Sequence, residues 1–70
     1  MPLFSTRIEK TDEDSLSKFM EFVRKHELDK FLTKTDFNET HYLMDLGNLE
    51  NDVYQIFSDD LLKNGLIINF

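Results

Sequence analysis

The spacing of apolar residues along this chain moves from a period of two to one of three or four and back, and does so twice. That order of changes restricts the fold more than any other feature. Leu3 to Glu9 alternates, with Phe4, Thr6 and Ile8 on one side and Leu3, Ser5, Arg7 and Glu9 on the other, the pattern of a strand. Leu16, Phe19, Met20 and Val23 then recur at three- and four-residue spacing, the stripe of an amphipathic helix. Thr11 and Asp14 stand at capping-box spacing, and Asp12, Glu13 and Asp14 suit the positive end of a helix dipole. The helix is expected from Asp12 to Leu28, with Arg24, Lys25 and His26 near its negative end.

Alternation returns in Phe31 to Phe37, where Phe31, Thr33, Thr35 and Phe37 share a side, and again in Thr40 to Leu46. Asn38-Glu39 between them carries turn chemistry, so the two runs predict a β-hairpin. Gly47-Asn48 reads as a break with Asn48 as a helix N-cap. Leu49, Val53, Ile56 and Phe57 follow at helical spacing. Lys63-Asn64-Gly65 is a stop signal, with Leu66 placed for the apolar contact that follows a glycine-terminated helix. Leu66 to Phe70 reads as a last short strand.

Strand, helix, strand, strand, helix, strand in one 70-residue domain predicts an α+β, ferredoxin-like βαββαβ fold. Right-handed crossovers would put both helices on one face of a four-stranded antiparallel sheet. Phe4, Ile8, Phe31, Phe37, Tyr42, Met44, Leu66, Ile68 and Phe70 are then expected to face the helices. Leu3, Leu32, Leu43 and Ile67 are expected on the open face, among Arg7, Lys34, His41 and Asp45, as a candidate homodimer surface.

Composition matters here for what it removes. The chain has no cysteine, so no disulfide, thiolate metal site or cysteine nucleophile stabilises or equips it. A core of this size supplies only about 3–5 kcal/mol, so packing by large side chains or a partner chain must provide the stability. With two glycines there is no phosphate-cradling loop or dinucleotide fingerprint. Counting an EF-hand loop from Asp12 puts Ser17 and Val23 where Gly and Glu are required. His41 and Asp45 lie about 13 Å apart along an extended strand, too far to share a metal. No cofactor, metal site or catalytic constellation is expected, and the chain is not read as an enzyme. The longest apolar runs fall far short of the ~20 residues of a membrane span, and no secretory signal opens the chain, so a cytoplasmic location is expected.

The charge is one-sided. Residues 1–34 carry seven basic and seven acidic side chains. Residues 35–70 carry Lys63 alone against Asp36, Glu39, Asp45, Glu50, Asp52, Asp59 and Asp60, so the formal net charge of −6 belongs to this half. Direct nucleic-acid binding needs phosphate neutralisation and is not expected there. A one-signed face steers a basic protein partner and rejects like-charged competitors. The expectation is a small acidic interaction protein that neutralises a basic partner such as a nuclease or nucleic-acid-binding protein, as an antitoxin, immunity protein or phage-type DNA mimic does. The alternative is a homodimeric structural or regulatory module that uses the open sheet face.

Overall fold

A computed structural model of the protein describes residues 1–66. Its elements are β1 (Leu3–Glu9), α1 (Glu13–Lys25), a 3₁₀ turn (Asp29–Phe31), β2 (Thr33–Asp36), β3 (His41–Asn48) and α2 (Asn51–Lys63). The strand order is β1-β3-β2, and β3 is antiparallel to both neighbours. β1 and β2 therefore run parallel with β3 inserted between them, a split β-α-β unit. The α+β class holds, but among the described residues the sheet has three strands rather than four. Apart from Leu66, the expected last strand lies outside the described residues, as do Ile67, Ile68 and Phe70.

Both helices pack on one face of the sheet, and aromatic rings join the layers. The Phe4 ring of β1 lies 5.1 Å from Phe57 and 5.6 Å from Tyr54, both on α2, and 6.3 Å from Phe19 on α1. Phe19 and Phe57 meet edge to face at 6.0 Å. Ile8, Val23, Leu28, Met44, Leu46, Leu49, Leu61 and Leu66 complete the buried core. Partly buried Tyr42 also packs against that core.

The helix ends show why these segments stop where they do. Asp12, not Thr11, caps α1: its Oδ1 accepts the Ser15 backbone N–H at 3.1 Å, and its Oδ2 accepts the Ser15 hydroxyl at 2.8 Å. α1 ends at Lys25 rather than Leu28, because Glu27 turns left-handed (φ +59°) and the Leu28 N–H returns to the Val23 carbonyl at 2.8 Å. α2 ends in the same motif with the residue suited to it. Gly65 takes φ +79°, the Leu66 N–H reaches the Leu61 carbonyl at 3.0 Å, and Leu66 is buried.

Three expectations need correction. Gly47-Asn48 does not break the strand, and Asn48 is not an N-cap: β3 runs through Asn48, and Glu50 occupies the cap without a side-chain hydrogen bond. What Gly47 provides is a bulge. Phe4 pairs with Gly47 and Ser5 with Asp45, leaving Leu46 as the extra residue. Gly47 has φ +73°, and the Asp45 carboxylate accepts its N–H at 2.7 Å. A Cβ there would meet nothing within 4 Å, so the backbone angle and not the space calls for glycine.

The second correction concerns β2. Phe31 and Phe37 do not enter the core; they are 49% and 47% exposed. The 3₁₀ turn consumes Asp29–Phe31, and Leu32 packs against the core in Phe31's place. Alternation then carries Lys34 and Asp36 to the helix side, opposite Met44 and Tyr42, and puts Thr33 and Thr35 opposite Asp45 and Leu43 on the open face. The helix layer leaves this edge strand uncovered along its whole length, and charged residues there oppose edge-to-edge pairing. Third, Ile56 is 58% exposed, because Phe57, Ser58 and Leu61 supply the buried stripe of α2.

Two stability outcomes follow from this packing. Phe57→Ala removes the ring shared by α1, α2 and β1, and Phe→Ala changes cost about 3–5 kcal/mol. That equals the whole expected stability of a domain this small, so circular dichroism should show an unfolded chain at 25 °C. Glu27→Gly relieves the left-handed strain and should raise stability by about 1 kcal/mol, read as a higher urea midpoint at unchanged slope.

Candidate functional site

The acidic residues of the second half do not form one patch. They divide among the hairpin, the open sheet face and α2. On the hairpin, Asp36 pairs with Lys10 at 3.3 Å. Asn38 builds the turn, its Oδ1 accepting the backbone N–H groups of Thr40 (2.9 Å) and His41 (2.8 Å), and Glu39 is exposed beside it. Asp45 lies on the open face and is engaged by the Gly47 N–H.

The rest belong to α2 and its cap. Asp60 is an internal clasp between the helices: its Oδ2 accepts from Lys25 Nζ at 2.9 Å and contacts His26 Nε2 at 2.8 Å. The His26 ring also stands edge-on to Phe57 at 5.4 Å, so the clasp sits directly over the aromatic core. Hydrogen bonds from Lys25, and then His26, hold the Asp60 carboxyl below its ordinary value of 3.8. Asp60 therefore holds α1 to α2 and is not a free charge.

Glu50, Asp52 and Asp59 are exposed, and among the described residues no cation pairs with them; Asp59 accepts only from Gln55 at 3.0 Å. Asp52, Ile56, Asp59 and Lys63 recur at four- and three-residue spacing, which places them along one outer stripe of α2. Two large apolar side chains stand on the outside of this helix, Ile56 at 58% and Leu62 at 63% exposure. Ile56, Asp59, Asp60 and Lys63 line a hollow of about 360 Å³ with Lys25 and His26 of α1. The charge is thus purest at the N-terminal half of α2, around Glu50 and Asp52, and mixes with Lys25 and Lys63 towards its end. Sequence spacing had assigned Ile56 to the core, so the apolar part of this surface was missed; a hydrophobic residue inside an otherwise polar stripe was the available signal.

The candidate homodimer face changes in composition. Leu3, 57% exposed, and Leu43, opposite Arg7, are on the open side of the sheet, whereas Leu32 has moved to the core side and Ile67 lies outside the described residues. In place of Leu32, Phe37 comes under the Arg7 guanidinium, 4.7 Å from ring centroid to Cζ. Among the described residues, no group of three or more His, Asp or Glu is placed to hold a metal, and no helix is long and apolar enough to cross a membrane. No protein-family model, curated protein or solved structure matches this chain.

The clasp gives a pH prediction. A carboxyl with a lowered folded-state pKa contributes stability above its unfolded value, and that contribution disappears as pH falls through the folded one. Wild type should resist urea better than Asp60→Asn near neutrality, and the gap should close only well below the ordinary value of 3.8. Urea titrations of both proteins between neutral and strongly acid pH measure it; a gap that persists in strong acid contradicts the assignment.

Proposed function

We propose that this chain is a small acidic protein-interaction protein that neutralises a basic partner, such as a nuclease or nucleic-acid-binding protein, through the outer face of α2. The setting would be that of a cytoplasmic antitoxin, immunity protein or phage-type DNA mimic, with binding and not catalysis as its work. The observation that carries the reading is the exposed Ile56 standing between the uncompensated carboxylates Asp52 and Asp59 on one stripe of α2, with Glu50 at its cap. A purely solvated stripe has no need of an isoleucine at its centre. An interface uses it as a desolvated centre while the carboxylates at the rim steer a cationic partner. Asp36, Glu39 and Asp45 would add to the long-range field rather than to the contact, and Asp60 would hold the helix in place.

The scaffold fits a ferredoxin-like sheet. A right-handed crossover from β3 through α2 would bring a fourth strand to the outer edge of β1. In support, Leu66 is buried and shares a hollow with Ile8 and Glu9 at the end of that strand.

A second reading, a homodimer through the open sheet face, draws on Leu3, Leu43 and Phe37, which are available there. The two readings separate by salt and by mutation. For the first, the doubly reversed Glu50→Lys/Asp59→Lys protein should capture its partner from host lysate at least about tenfold less well at low salt, with a flattened salt response. Ile56→Ala should weaken capture at every salt concentration. If both variants capture as wild type does, the face is only a solubility feature. For the second, light scattering should show a dimer with little salt dependence that Leu43→Lys dissociates.

A further inference from the structure

At the hairpin end of the open sheet face, Arg7, Phe37, Asn38 and His41 line a concavity of about 260 Å³. We propose that this hollow is a binding site for a phosphate monoester, independent of the α2 face. Arg7 carries the argument. Among the described residues Lys10, Lys18 and Lys25 each pair with a carboxylate, whereas Arg7, like Arg24, Lys30, Lys34 and Lys63, does not; of these, Arg7 is the one that lines this hollow. Its guanidinium lies over the Phe37 ring at 4.7 Å. Stacking of that kind fixes the plane of the group and leaves its N–H edges free for an oxyanion.

The neighbours are arranged to donate as well. Asn38 Oδ1 accepts from two backbone N–H groups, at 2.9 and 2.8 Å, and lies 3.0 Å from the Thr40 hydroxyl. Those bonds settle which end of the amide is oxygen and leave the NH₂ end unpaired. His41 Nδ1 lies 2.7 Å from the same Thr40 hydroxyl. The Thr40 O–H donates to Asn38 Oδ1, and His41 Nε2 has no protein partner among the described residues. The hollow therefore gathers a guanidinium fork, an amide NH₂ and an imidazole, and a phosphate group has enough terminal oxygens to meet all three. The titratable groups facing His41 are Glu9, its cross-strand partner on β1, Arg7 on the same strand, and Asp12 ahead of α1, which lines the adjoining hollow.

The test is a ¹⁵N NMR titration of the intact protein with inorganic phosphate at constant ionic strength, with acetate and phenyl phosphate as parallel ligands. The expected result is saturable shifts at Arg7 Nε–H, the Asn38 amide and the His41 ring. Acetate should bind at least about tenfold more weakly, since its two oxygens cannot meet the guanidinium, the amide and the imidazole together. Arg7→Gln should lose about tenfold in affinity. Asn38→Asp keeps the turn acceptor while replacing the donating amide with a negative charge, and should lose at least as much. Urea midpoints close to wild type would show that both variants are folded. Non-saturating shifts spread over the surface, acetate binding as tightly as phosphate, or undiminished binding by folded variants would each overturn the proposal.

Discussion

Everything in this fold depends on the contact among Phe4, Phe19 and Phe57. Each ring comes from a different element, and their centroids lie 5.1–6.3 Å apart. The chain has no alanine with which to bring backbones together closely, and no cysteine to tie them. Large rings span the gap between layers instead, and each buries enough area to match a sizeable share of the total stability. The elements around them are positioned by what the rings require. Asp60 and His26 clasp the two helices directly above Phe57, and the bulge at Leu46-Gly47 lets β3 follow β1 where Phe4 enters the core.

A domain stabilised by so few contacts has limited means of carrying function inside it, and its surfaces divide the work. The helix side of the sheet is filled by the core. The outer side of α2 carries carboxylates without salt-bridge partners on either side of exposed Ile56. The open sheet face carries Arg7 over Phe37 beside the hairpin turn. The open face also carries Glu9 and Asp45, so the cationic character of Arg7 is local to the hairpin hollow. A cationic partner at α2 and an anion at Arg7 would meet separate surfaces, so occupancy of one need not hinder the other.

How far the sequence disclosed this differs from element to element. The helical stripes Leu16-Phe19-Met20-Val23 and Val53-Phe57 place α1 and α2, because a 3.6 period admits one buried side. The Gly65-Leu66 terminus also forms as its residues specify, with the left-handed glycine followed by a buried leucine. β2 was legible only by half. Alternation separated Phe31, Thr33, Thr35 and Phe37 from Leu32, Lys34 and Asp36, but a period of two has no sign and does not say which set faces inward. The 3₁₀ turn settles that by burying Leu32. The candidate site was legible in its charges, which are fixed by residue type, and not in their grouping: Asp36, Asp45 and Asp60 acquire internal partners that no spacing revealed.

The sequence by itself determined the order of strands and helices, the polar termini of the helices and the concentration of negative charge in residues 35–70. These depend on local spacing and side-chain chemistry, which act over a few residues. Only the tertiary structure decided that Ile56 would be exposed, that Phe37 would lie beneath Arg7, and that Asp60 would be spent on Lys25 and His26. Those outcomes depend on how one element is rotated against another, and packing three rings from three elements into one core sets that rotation.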